Sequence, residues 1–202
     1  MEDKPYSFLV PNTDWAFVHI TKTGGTSIRR YLKMPKNSNA TGRKHVRYDE
    51  MKKMMDPQRF SELRFFAVVR EPFDRMKSYW QYRMRKRVEA GKDLFSFDEF
   101  LQRLPSYCND TNVGRPQSDY LKEHGVFQDH VHLLRFENLE SELMAFAKGH
   151  EMMTLETFPH QNQSFEPEGF NGEYTPAMRD MVREFCHEDF ERFGYPMYPD
   201  RL

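Results

Sequence analysis

Residues 17–27 read Phe-Val-His-Ile-Thr-Lys-Thr-Gly-Gly-Thr-Ser, and the last six, Lys22, Thr23, Gly24, Gly25, Thr26 and Ser27, are residue types that hold an anion. Gly24 and Gly25 allow backbone to approach a charged oxygen with no Cβ in the way. Backbone N–H groups at the start of a following helix favour that anion, as does the helix dipole. Thr23, Thr26 and Ser27 add hydroxyl donors, and Lys22 adds a mobile positive charge. Such a group binds a phosphate or a sulfate. It is not a Walker A loop, in which the lysine follows the glycines; here Lys22 precedes them. The competing reading is a plain strand-to-helix turn with an unrelated lysine.

A second group, Arg70-Glu71-Pro72-Phe73-Asp74-Arg75-Met76-Lys77-Ser78, again leaves an apolar run and enters a helical pattern. Arg70, at the strand end, can make a bidentate contact with a phosphate. Ser78, about a turn and a half into the helix, can offer its hydroxyl to the same group. Arg75 and Lys77 raise the local potential, although Arg75 reads first as a surface or structural ion-pair residue. Two anion sites at strand ends in one small domain imply a ligand with two separated anionic groups.

The elements that must position these groups follow from periodicity. Residues 15–20, 64–69 and 131–136 are short apolar runs and predict strands. Helices are predicted from Thr26 to Leu32, over 48–55 and over 73–88, where Phe73, Met76, Trp80 and Met84 recur on one face. Ser96 and Glu99 form a capping box that opens another helix, and Asn138 is expected to cap one running to Ala147. Thr175-Pro176 starts a final helix to about Arg192, closed by Gly194. Residues 105–116 read as a loop, and 150–173 as a connection long enough to carry a function. Strands alternating with helices predict an α/β fold, a single P-loop-like domain over residues 1–202 with a central parallel sheet flanked by helices and ligands at the strands' carboxyl ends.

The 202-residue length suits one such domain and is short for two well-cored ones. Net charge is −1, yet residues 19–87 hold 19 Lys+Arg against 6 Asp+Glu, a net of +13, and the remainder carries −14. A basic half on a neutral chain points to a local anionic ligand rather than general polyanion binding. The run Arg83-Met84-Arg85-Lys86-Arg87 reads as a solvated helix end or a lip that attracts an anionic acceptor, and no nucleic-acid partner is expected. Two cysteines, Cys108 and Cys186, exclude a disulfide framework and a four-thiolate zinc site, and no metal site is predicted. No run of about 18 apolar residues and no signal-peptide pattern occurs, so a soluble, cytoplasmic chain without membrane partners is expected.

Taken together, strand-HITKTGGTS-helix and strand-VVREPFDRMKS-helix resemble the sulfotransferase superfamily, whose donor is 3′-phosphoadenosine 5′-phosphosulfate (PAPS). The branch that looks most similar holds carbohydrate sulfotransferases of the heparan sulfate 2-O type and short bacterial relatives. Pro116 to Leu121, Arg135 to Leu139, Pro159 to Ser164 and Asp189 to Tyr195 also resemble that branch, so the likeness covers nearly the whole chain. It implies that residues 22–27 hold the 5′-phosphosulfate and that Arg70 and Ser78 hold the 3′-phosphate. It also implies that Lys22 neutralises the bridging oxygen as the sulfuryl group leaves, with PAP as product. Thr21 stands where relatives usually have proline, which loosens the start of the loop. The connection around Asn162 and Ser164 would, by the same analogy, close over the nucleotide.

Transfer to a hydroxyl needs an in-line acceptor, charge stabilisation at the leaving phosphate and a proton acceptor. His45 is the expected base: members of the branch often carry a histidine in a comparable stretch, and imidazole titrates near working pH. Its basic neighbours Lys44 and Arg47 favour the neutral form. His19 reads as a packing residue, His160 is the next candidate and Glu50 a weaker one. The implied acceptor is a hydroxyl-bearing carbohydrate or small molecule. An ATP-dependent P-loop-like kinase and a non-catalytic nucleotide-binding protein of the same fold are the alternatives.

Overall fold

The structure, a computed structural model, describes residues 6–35, 45–110, 114–159, 167 and 173–198. The chain divides into two units. The first comprises Met1–Val69 and Asp119–Asn162, the second Arg70–Ser118 and Gln163–Leu202.

The first unit is built on three parallel strands in the order β1 (Trp15–Val18), β2 (Arg64–Val69), β5 (His132–Arg135). Trp15 pairs with Arg64 and Val18 with Ala67, while Phe66 pairs with His132 and Val69 with Arg135. Phe65 to Val69 are all buried, the mark of a strand covered on both faces. On one face Phe66 and Val68 pack with Trp15, Phe17, Ile28 and Phe146, under α1 (Gly25–Tyr31) and α7 (Leu139–Gly149). On the other, Phe65 meets Tyr48 of α2 (Tyr48–Met54) at 4.8 Å and Phe60 of α3 (Pro57–Ser61) at 5.0 Å between ring centres. The predicted strands and parallel sheet are therefore present, and the fold is α/β with helices flanking the sheet.

A hairpin, β3 (Lys122–Glu123) with β4 (Val126–Phe127), was not predicted. Its two-residue turn, His124-Gly125, has φ of 49° and 81°. Positive φ at both positions matches the strand twist, and Gly125 was the available sequence signal.

The second unit is helical: α4 (Pro72–Glu89), α5 (Phe97–Gln102), α6 (Leu104–Asp110), α8 (Pro176–Phe185) and α9 (His187–Phe193). Phe73, Met76, Trp80 and Met84 are all buried in its core with Phe97, Phe100 and Phe190, as the spacing required. The capping box forms in both directions, Glu99 N–H to Ser96 Oγ at 3.2 Å and Ser96 N–H to Glu99 Oε2 at 2.9 Å.

Three local expectations are corrected. Residues 104–110 are helical rather than loop, because Pro105 sits in the first turn, where no N–H is needed. The final helix breaks at Cys186, whose ψ of 18° ends α8; no glycine or proline marks that break in the sequence. Asn138 occupies the position before α7, but its amide donates to Glu142 Oε1 at 3.3 Å instead of capping the backbone. Among the described residues, no helix is long and apolar enough to cross a membrane.

The sheet-core geometry yields a stability prediction. Phe66 is fully buried, with its ring 5.0 Å from both Phe17 and Phe146. Phe66→Ala is expected to lower unfolding free energy by about 3–5 kcal/mol, read by urea denaturation.

Candidate active site

The turn after β1 is held in an uncommon backbone shape. Lys22 has φ +66° and Gly24 φ +79°, with Thr23 between them. A left-handed lysine costs free energy and persists only where surrounding contacts enforce it, a pattern concentrated at functional sites. Here the contacts are identifiable. Thr23 is fully buried and its hydroxyl donates to the Ile20 carbonyl at 2.9 Å, closing the turn on itself. Thr23 can therefore serve an anion through its backbone N–H, while its hydroxyl proton is engaged inside the loop. Thr21 Oγ1 lies 3.2 Å from the Tyr120 hydroxyl in a buried pair, which anchors the start of the loop where the sequence lacks proline.

Gly25 is fixed by packing. A Cβ built there would lie 1.8 Å from His19 Nε2, so the imidazole occupies the space that any side chain would need. At Gly24 a Cβ would come within 2.6 Å of Leu139 Cδ2, besides the unfavourable φ. The two glycines thus answer different constraints. Thr26 is exposed and Ser27 is buried at the start of α1.

His45 is half-buried next to this loop, its ring centre 4.2 Å from that of His19. His45 Nδ1 is 3.1 Å from the His19 carbonyl oxygen. A carbonyl only accepts, so Nδ1 carries the hydrogen and Nε2 of neutral His45 holds the lone pair. The sequence placed His19 in packing and His45 near the anion loop, but gave no sign that His19 supports both Gly25 and His45. Arg47, expected to press His45 toward its neutral form, is ion-paired with Asp49 at 3.4 Å and Glu50 at 3.6 Å. Glu50 accepts from Arg47 N–H at 2.9 Å, a helix-start role rather than a proton-transfer one. Lys44, His160, Asn162 and Ser164 lie outside the described residues.

Beside Gly24 and Ser27 opens a cleft of about 750 Å³, whose lining includes Phe136, Asn138, Ser141 and Phe158. Its size is that of a small-molecule site. Phe136 and Asn138 follow β5, and Ser141 lies in the first turn of α7, so the carboxyl ends of β1 and β5 both feed the cleft. Residues 135–139 stand out in the sequence only as a segment resembling the family branch, and nothing there marks Phe136, Ser141 and Phe158 as the lining of a cleft.

In the second unit, Arg70 immediately follows β2 and Ser78 is half-buried on α4. Pro72 opens α4, and Glu71 caps it by accepting from Asp74 N–H at 2.7 Å. Arg75 is not a surface residue. It is 1% exposed and donates to the Arg115 carbonyl at 2.8 Å.

The Gly25–His19 contact is testable by a double-mutant cycle. Gly25→Ala is expected to cost about 1–3 kcal/mol through overpacking. Removing the ring in a His19→Ala background should shrink that cost, so urea denaturation of the double variant falls short of the sum of the single ones.

No curated protein sequence matches the chain significantly. A crystal structure of a sulfotransferase from Alicyclobacillus acidocaldarius superposes with a TM-score of 0.50 over 91% of this chain and 94% of that one, at 16% identity, a likeness of fold. The profile of the sulfotransferase family matches residues 7–196, a range that takes in most of both units. The chain therefore belongs to the sulfotransferase family.

Proposed function

We propose that this sulfotransferase takes PAPS as donor, releases PAP, and transfers to the hydroxyl of a carbohydrate or small-molecule acceptor, with residues 1–202 acting as one catalytic domain. The observation that carries the reading is the left-handed Lys22–Gly24 turn, which opens on the cleft beside Gly24 and Ser27 and has His45 alongside. PAPS supplies the activated sulfuryl group.

In this reading Lys22 to Ser27 hold the 5′-phosphosulfate, and the Lys22 ammonium sits where negative charge grows on the departing phosphate. Arg70 and Ser78 hold the 3′-phosphate. The cleft suits the nucleoside: Phe136 and Phe158 offer ring faces, and Glu137 and Glu140 offer acceptors to N–H and O–H groups. The cleft begins at Gly24 and Ser27, so a nucleoside seated in it would lie directly against the loop that holds the 5′-phosphosulfate. His45 takes the acceptor proton at Nε2, since Nδ1–H is committed to the His19 carbonyl. Together these side chains supply positive charge and a base.

Transfer from labelled PAPS to a panel of glycan, phenolic, lipid and peptide acceptors tests the reading. Lys22→Ala is expected to lower kcat at least about 100-fold. His45→Ala should lower kcat by roughly 100- to 10,000-fold while leaving the donor KM near wild type. Arg70→Ala should act mainly through donor affinity. Wild-type kcat in the His45 variant would exclude it as the base, and unchanged donor affinity in the Arg70 variant would remove the second anion site.

A further inference from the structure

The main chain of Arg70 is gripped by one side chain. Arg70 N–H donates to Gln117 Oε1 at 2.9 Å, and Gln117 Nε2 donates to the Arg70 carbonyl at 2.8 Å. A primary amide thus pairs with one residue's donor and acceptor together, as a neighbouring strand would. Gln117 is itself fixed. Its N–H donates to Asp189 Oδ2 and the Ser118 N–H to Asp189 Oδ1, each at 2.7 Å. Gln117, Ser118 and Asp189 are all fully buried, and Arg75 beside them is 1% exposed.

That burial is expensive for polar groups unless each is satisfied, and a buried carboxylate costs most. Burial pushes the Asp189 carboxyl above its usual range, opposed by the Arg75 guanidinium and the two N–H donors. Packing alone would favour apolar residues at these positions. What the polar set supplies is direction. Asp189, on α9, locks the backbone at 117–118, and Gln117 then fixes the frame from which the Arg70 side chain departs. Arginine carries large rotamer entropy, so holding its Cα rigid lowers the cost of presenting its guanidinium to a ligand.

We propose that Gln117 is the positioning residue for Arg70, and that Asp189 sets Gln117 in place. The inference rests on the reading of Arg70 as a ligand of the donor's 3′-phosphate. Its signature is selective: losing Gln117 should weaken nucleotides that carry a 3′-phosphate and spare those that do not.

The test is calorimetric binding of PAP and of adenosine 5′-monophosphate to the full chain. Gln117→Met removes both bonds to Arg70 at similar side-chain size. It is expected to weaken PAP about tenfold and leave the monophosphate unchanged. Gln117→Asn keeps the amide but shortens its reach, and the same selective loss is expected. In an Arg70→Ala background the Gln117 substitutions should cause no further loss of PAP affinity, since their effect runs through Arg70. Equal weakening of both nucleotides, unchanged PAP affinity, or additive loss with Arg70→Ala would each overturn the proposal. Arg70→Ala alone separates it from its parent. If that variant keeps the full preference for PAP over the monophosphate, the 3′-phosphate reading fails and this inference falls with it. If it loses the preference while both Gln117 variants keep it, only the inference fails.

Discussion

Parallel pairing of β1, β2 and β5 forces the carboxyl ends of all three strands to one edge of the sheet. Parallel strands cannot be joined by tight turns, so the β1–β2 connection carries helices, and α1 and α7 cover one face while α2 and α3 cover the other. With both faces covered, Phe65 to Val69 are uninterruptedly apolar. Chemistry is left to the segments that leave the strand ends. The Lys22 loop leaves β1, Arg70 leaves β2, and Phe136 to Asn138 leave β5. In open α/β sheets that edge is where ligands collect.

The strands and α4 were legible because burial imposes their patterns directly. An apolar run bounded by turn residues, or Phe73, Met76, Trp80 and Met84 at helical spacing, has few other physical readings. The strand-to-helix turn was legible for a similar reason, since two adjacent glycines at such a place answer a steric demand. What local pattern could not give was long-range support. Nothing near Gly25 announces that the His19 ring fills its side-chain space, and nothing near Arg70 announces Gln117, forty-seven residues away. The break at Cys186 was invisible because no helix-breaking residue marks it.

The lopsided charge distribution takes on a sharper meaning against the structure. Several cations of the basic segment are already matched locally: Arg47 by Asp49 and Glu50, Lys52 by Glu123 at 2.6 Å, and Lys86 by Glu89 at 2.6 Å. Arg75 is buried and structural. The surplus therefore overstates the charge offered to a ligand, and Lys22 and Arg70, at two strand ends, are the cations that the proposed chemistry uses. In the proposed reading, where those two cations stand in the chain matters more than the net charge.

The central claim is the identity of the donor, and a nucleotide-dependent thermal shift tests it most directly. The protein would be melted with PAP and, separately, with ATP and magnesium at matched concentrations. A ligand that binds only the folded state raises the melting temperature according to its affinity. The account predicts a clear rise with PAP and a much smaller one with ATP-magnesium. A larger shift with ATP-magnesium would contradict it and favour a phosphoryl-transfer enzyme.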